Sequence, residues 1–372
     1  MHHPVDLRIR LARPTAGQDE LLAVQNVLST GILSNGPMIK QFESGFAALH
    51  SAAHAVAVAN GTIALQAILM ALDIGPGDEV IVPSMSFVST ATCVLHVGAE
   101  VRFADIRPDT LNLDVEDVAR RITARTKAII VVHYGGQPAD LVALGDLADG
   151  AGLHLIEDAA QAHGARLFNH PVGAWGAAGM FSFSPTKNIT TGEGGMIVTN
   201  DGNLAARVRE LRNHGASREY FHESIGYNWR LTELQAAIGV VQMHRLEPII
   251  SQKKLNAEVL SAALSEHPRI STPANLSGTE PSFSQYTVLL DGTIDRDAVM
   301  KHMIGAGIET KRYYPAIHLM PVFRDHGPYD LPATEDVDQR MISLPFHAGL
   351  GPDALQEVAR TLRSAVDLEA EG

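Results

Sequence analysis

The residues able to do chemistry cluster in two stretches. Phe181-Ser182-Phe183-Ser184-Pro185-Thr186-Lys187 brings a single lysine out of an apolar, aromatic and hydroxyl-rich run, and the turn Gly192-Glu193-Gly194-Gly195 follows it. A lysine beside packed rings loses hydration, which favours the neutral amine and lets it attack a carbonyl to form a Schiff base. An arbitrary loop lysine is solvated instead, so a second stretch must decide. That stretch is Leu153-His154-Leu155-Ile156-Glu157-Asp158, a buried-type strand that delivers Asp158 at its carboxyl end, where open α/β sheets gather ligand groups. A carboxylate placed there would keep a pyridine nitrogen protonated, the condition under which pyridoxal phosphate acts as an electron sink.

A parallel sheet is the natural way to bring the two together. Runs at 55–59, 79–83, 101–105 and 128–132 read as buried strands, with helical patterns at 63–72 and 115–122 between them. Upstream, Leu21, Leu22, Val24, Val27 and Leu28 mark a first helix with Thr15 as its cap and Gly31 as its stop, and Phe42, Phe46 and Leu49 share a face of a second. Asn60-Gly61-Thr62 ends the first strand and opens a helix. Such a turn presents free amides and the positive dipole end to a phosphate, although it also serves as an ordinary cap. A helix is predicted at 204–211 and a long one opens after Gly226-Tyr227-Asn228-Trp229-Arg230. From about residue 245 the pattern becomes a smaller α/β unit, with helices at 253–264, 296–304 and 353–363 and a strand at 284–290. The expected domains are 1–245 and 246–372.

At 372 residues the chain can bury a large core, and single cores stop growing beyond roughly 250–300 residues. Twenty-nine Lys+Arg against 42 Asp+Glu give a net charge of −13, and no basic run suggests a nucleic-acid or membrane surface. Cys93, the only cysteine, rules out an intramolecular disulfide and a Cys-based zinc site, and its apolar neighbours suggest a packed thiol. No metal is expected. The opening residues lack an apolar signal core, and no run of about 18 apolar residues occurs, so the expected location is the cytoplasm.

In order, Ala59-Asn60-Gly61-Thr62-Ile63-Ala64-Leu65, Gly136-Gln137-Pro138-Ala139-Asp140, Glu157-Asp158-Ala159-Ala160-Gln161-Ala162-His163-Gly164, the lysine stretch, Gly226-Tyr227-Asn228-Trp229-Arg230 and Ser343-Leu344-Pro345 resemble the DegT/DnrJ/EryC1/StrS family. The resemblance spans nearly the whole chain. It implies the α/β architecture of fold type I sugar aminotransferases: a large domain with a mostly parallel seven-stranded sheet sandwiched by helices, and a smaller C-terminal α/β domain. It also implies pyridoxal phosphate held by Lys187, its ring nitrogen at Asp158, and its phosphate at Gly61, Thr62 and Ser182. Phe87 would cover the ring, Gln161 would contact the ring or its hydroxyl, and His163 would buttress the aspartate. Asn228 would reach the phosphate of a neighbouring subunit, which implies a homodimer with shared sites. Glu193 and His318 are the residues implied at the donor or the sugar, with a surface-loop role equally open for His318.

Relatives that dehydrate sugars carry histidine at position 187, so lysine there implies transamination, with glutamate or glutamine as donor and a keto sugar as acceptor. The Lys187 to Met196 segment is most similar to that of members acting on nucleotide-linked 4-keto-6-deoxyhexoses, such as perosamine synthases. Carbon-3 sugars and inososes remain open. A non-catalytic sugar-sensing relative would be expected to lose Lys187 or Asp158, and both are present. A dinucleotide-binding protein would need Gly-x-Gly-x-x-Gly after the first strand, where Asn60-Gly61-Thr62 stands.

Overall fold

The computed structural model describes residues 7–274 and 276–371. Helices α1 (Gln18–Thr30) and α2 (Pro37–Leu49) lead to strand β1 (His54–Val58) and helix α3 (Gly61–Ala71). Gly31 ends α1 in the left-handed conformation, at φ 70°, as expected, but the cap is Gly17 and not Thr15. The Thr15 carbonyl is held elsewhere, accepting from Gln242 Nε2 at 2.6 Å, while Glu20 reaches back to the Gly17 N–H at 2.7 Å. Repeating units follow: β2 (Glu79–Pro83) and α4 (Ser89–His96), β3 (Glu100–Ala104) and α5 (Val115–Arg121), β4 (Thr126–Val132) and α6 (Leu141–Ala151), then β5 (His154–Asp158). A small hairpin, β6 (Arg166–Leu167) and β7 (His170–Pro171), precedes β8 (Ala178–Ser182) and β9 (Gly195–Thr199).

These strands form the seven-stranded sheet β1-β9-β8-β5-β4-β2-β3. Pairing is parallel from β3 through to β8, and β9 runs antiparallel to both β8 and β1. No helix crosses over between β8 and β9, and without a crossover the chain must return antiparallel. Helices cover both faces, which is why the strands are continuous apolar runs. Phe42, Phe46, Phe181 and Phe183 pack on one face, and Leu65, Ile68, Leu69, Val94 and Phe103 on the other. The aromatic cluster lies directly under the lysine stretch.

Beyond β9 come α7 (Gly202–Arg212), the hairpin β10 (Ala216–Arg218) and β11 (Phe221–His222), and α8 (Glu233–Leu264). The sequence suggested two helices within this last span; instead α8 is one helix that carries Pro248 without ending, and the expected boundary at 245/246 falls inside it. Its first half packs on α2, where Gly239 admits Phe42: a Cβ there would stand 2.6 Å from the ring. Its second half supplies Ala257, Leu260 and Leu264 to the smaller domain.

That domain is built on the antiparallel sheet of β12 (Ile270–Ser271), β14 (Tyr286–Leu290) and β15 (Met341–Leu344), whereas β13 (Thr279–Glu280) pairs with β6 of the large domain. Helices α9 (Arg296–Gly305), α10 (Pro332–Arg340) and α11 (Pro352–Glu371) complete it. The last helix outruns its expected end because Leu362, Ala365 and Val366 continue its apolar stripe. The N-terminal segment also belongs here. Ile9 bridges Ile308 in parallel and joins the small-domain core, and the Phe346 N–H donates to the Leu11 carbonyl at 3.0 Å. No helix among the described residues is long and apolar enough to cross a membrane.

Candidate active site

Asp158 ends β5, and strand alternation turns it to the opposite face from Glu157. Glu157 is fully buried and serves the fold, accepting the N–H groups of Gly173 (2.6 Å) and Trp175 (2.7 Å) and a hydrogen bond from His133 Nε2 (3.1 Å). Asp158 is oriented differently. Its Oδ2 accepts from the Thr90 hydroxyl at 2.7 Å and its Oδ1 from the Ala160 N–H at 3.2 Å, and Ser86 donates in turn to Thr90 at 2.8 Å. Burial pushes its carboxyl above the ordinary range, opposed by the Thr90 hydroxyl, the Ala160 N–H and the Lys187 charge. A carboxylate so placed gains most from a cationic partner.

Lys187 is half-buried at the end of the lysine stretch. Burial pushes its ammonium below the ordinary value, and the Asp158 and Glu193 carboxylates oppose that shift. The turn that holds it is closed by hydrogen bonds from the Thr190 hydroxyl to the Phe183 carbonyl (2.8 Å) and from the Lys187 N–H to the Ser184 carbonyl (3.1 Å).

Gly61 and Thr62 open α3, where first-turn N–H groups have no intrahelical acceptor. Asn60 caps the helix through the Ile63 N–H at 3.0 Å, and the Thr62 hydroxyl meets the Ser89 hydroxyl at 2.7 Å. Ser182 closes the cradle: a Cβ on Gly61 would stand 3.0 Å from Ser182 Cβ and 3.4 Å from its Oγ. An anion cradle, a buried carboxylate and a lysine biased toward its neutral form are a set of groups that fits pyridoxal phosphate.

The other expected residues divide. Phe87 is 51% exposed and lies edge-on to Tyr314, with ring centroids 5.6 Å apart. Gln161 is buried, and its Oε1 accepts from the Gly135 N–H at 2.9 Å, which leaves its NH2 group as donor. The glycine turn that makes this contact is obligatory, since a Cβ on Gly136, at φ +89°, would stand 2.8 Å from the Gln161 carbonyl. Glu193 is exposed beside Lys187, and Asn228 is exposed on the segment whose neighbours Tyr227 and Trp229 stack at 3.9 Å.

Two histidines depart from expectation. His318 is buried and fixed by the Ser84 hydroxyl at 2.7 Å and Glu335 at 3.3 Å, so it ties the loop after β2 to the small domain and both its ring nitrogens are engaged. His163 does not buttress Asp158. It sits among Phe46, Phe181 and Phe183, and among the described residues neither ring nitrogen has a hydrogen-bond partner. Thr90 takes the buttressing position.

Sequence reasoning missed Thr90, Tyr314 and Lys253. Thr90 lies in an ordinary helical run, and Tyr314 in a loop where no spacing marks it. Tyr314 packs on Phe87, and burial together with the nearby Asp158 pushes its phenol upward. Its loop is pinned by Tyr134 and Gln285, both donating to the Tyr313 carbonyl.

Residues 14–363 match the model of the DegT/DnrJ/EryC1/StrS aminotransferase family. The chain is 39% identical over 341 residues to the dTDP-3-amino-3,4,6-trideoxy-alpha-D-glucose transaminase of Streptomyces venezuelae, covering 90% of this chain and 89% of that one. It is 34% identical over 362 residues to the GDP-perosamine synthase of Vibrio cholerae, covering 96% and 98%. A solved structure of the putative sugar aminotransferase Spr1654 from Streptococcus pneumoniae, in its PMP-form, superposes with a TM-score of 0.94 at 25% identity over 98% of each chain. A match that runs through both domains and through every motif of the site leaves one assignment: the chain belongs to the DegT/DnrJ/EryC1/StrS aminotransferase family.

Proposed function

We propose that this aminotransferase moves an amino group from glutamate or glutamine to the keto carbon of a nucleotide-linked 4-keto-6-deoxyhexose. Its cofactor is pyridoxal phosphate, which when bound supplies a conjugated ring able to take up the electron pair released at the donor's amino-bearing carbon. The observation that carries the reading is the convergence of Lys187, Asp158 and the Gly61–Ser182 cradle at the carboxyl ends of the sheet strands.

Lys187 Nζ anchors the cofactor and, once displaced by the donor, moves the proton on and off the donor's amino-bearing carbon. Its lowered pKa keeps a fraction of the amine neutral for that task. Asp158 holds the proton of the ring nitrogen, and Thr90 and Ala160 fix the carboxylate that does so. Gly61, Thr62 and Ser182 bind the phosphate, Phe87 covers a ring face, and the Gln161 NH2 group donates to the ring hydroxyl. Glu193 stands beside Lys187 at the donor or sugar. Asn228 completes the phosphate site of a second subunit in a homodimer. Tyr220 and Ile225, 90% and 86% exposed on the segment that leads to Asn228, support an interface there.

The nucleotide sugar is supported by the two curated relatives, whose names carry dTDP- and GDP-linked sugars. The name of the first specifies a 3-amino product, which favours carbon 3 as the second reading. The test has two stages. Glutamate and then glutamine are added to the purified enzyme while its visible absorbance is followed, and the converted enzyme is offered dTDP- and GDP-linked 4-keto and 3-keto sugars. Amination of a 4-keto sugar supports the first reading, amination only of a 3-keto sugar the second, and amination of none sinks both.

A further inference from the structure

Beside Lys187 lies a small pocket lined by Arg13, Thr186, Lys187, Asn188, Lys253 and His347. No acidic side chain lines it. Lys253, on α8, is only 4% exposed, yet its Nζ finds neutral partners alone: Asn188 Oδ1 at 2.7 Å and the Ser284 carbonyl at 3.2 Å. Asn188 is held in place for this by donating its own NH2 group to the Ser282 carbonyl at 3.0 Å. His347 is 8% exposed, and its Nδ1 has no hydrogen-bond partner among the described residues. Arg13 stands at the exposed mouth.

A buried ammonium without a counter-ion is costly, and so is an unpaired buried imidazole nitrogen. Burial alone pushes Lys253 down to about 7, and the nearby Lys253 and Arg13 charges add to the burial that lowers His347. An entering anion would relieve all three groups together.

We propose that this pocket is the anion subsite of the amino donor, in which Lys253, His347 and Arg13 take a donor carboxylate and so bring its amino group to Lys187. The inference rests on the donor reading given above. A carboxylate suits the pocket better than a diphosphate because the space is small, and because Lys187 joins its wall. Lys253 and His347 act as binding residues, and Asn188 positions Lys253.

The two half-reactions separate the possibilities. The holoenzyme and its Lys253→Met and Arg13→Ala variants are titrated with glutamate and with glutamine, following the absorbance change of the cofactor. The pyridoxamine phosphate-loaded forms are then titrated with the accepted keto nucleotide sugar. The expected result is a rise of about tenfold or more in half-saturating donor, with half-saturating acceptor within about twofold of wild type. Glutarate, a dicarboxylate that cannot react, should bind wild type in calorimetry and lose that binding in Lys253→Met.

Arg13 is exposed, so its variant keeps the test alive if Lys253→Met fails to fold. Unchanged donor titrations in folded variants overturn the subsite. A rise confined to the acceptor, with pyrophosphate competing, assigns the pocket to the nucleotide and overturns it equally. A wild-type enzyme that reacts with neither donor overturns the donor reading itself and the subsite with it.

Discussion

Lys187 and Asp158 are each pushed by burial toward the neutral state, and each opposes that push on the other. Removal of either is therefore expected to act on chemistry more than on folding. Lys187→Ala should cut transamination by about a thousandfold or more, the range of a lost proton-transfer group, while thermal unfolding of the cofactor-free protein is almost unchanged. Thr90→Val is subtler. It strips Asp158 of its 2.7 Å partner, and a loss of about tenfold in kcat with little change in KM is expected, read by steady-state kinetics. Lys187 and Asp158 stood out in the sequence by residue type and by their place at predicted strand ends, whereas Gly61 and Ser182 drew their expected role from the family resemblance. Thr90 and Lys253 were not, since each is an ordinary member of a helix and meets its target only through tertiary approach. His163 and His318 misled for the converse reason: histidine suggests chemistry, but one is enclosed in phenylalanine rings and the other has both nitrogens engaged.

The helices that frame the site are joined by a single carboxylate. Glu233, in the first turn of α8 and 1% exposed, accepts from the N–H groups of Gly36 (3.0 Å), Met38 (2.8 Å) and Ile39 (3.0 Å), so it caps α2 from a distance. Glu233→Ala leaves these donors buried and unpaired. It should cost about 2–4 kcal/mol of stability in chemical denaturation, with Glu233→Gln costing less because one oxygen remains to accept. No local pattern announces this cap, because its two halves lie nearly two hundred residues apart. The sheet was more legible: buried strands alternating with helices define the parallel order, and the antiparallel β9 follows from a lysine stretch with no crossover helix. The long α8 was split in the sequence because its two halves serve different cores, so no single apolar stripe runs along it.

For the molecule as a whole, acid stability follows from imidazoles kept neutral. Burial pushes His50 down to about 4 and His163 well below its ordinary value. The unfolded chain takes up these protons from about pH 6.5 downward while the folded chain does not. Their contribution is thus complete above pH 6.5 and drains away as pH falls, by about 3 kcal/mol for His50 at pH 4. Glu79, held below the ordinary carboxylate range first by Arg102, adds a further loss below about pH 4.5. Melting temperature should therefore fall from pH 6.5 to pH 4, and His163→Leu should flatten that slope. In the proposed homodimer, Lys187→Ala and Asn228→Asp proteins, each inactive alone, should regain about a quarter of wild-type activity when mixed and reassembled, because half of the randomly formed dimers would carry one intact shared site. Activity that stays at zero after mixing and reassembly would deny the sharing.

The pairing of Ile9 with Ile308, and of Leu11 with Phe346, also sets a timetable for synthesis. Residues 9 to 13 are translated about 300 residues ahead of the surface that receives them, about 15–60 s earlier at the usual elongation rate. Leu11, Ala12 and Arg13 help wall the space around Lys187, so a nascent chain holds its reactive lysine in an unfinished chamber until Ile308 and Phe346 have been made.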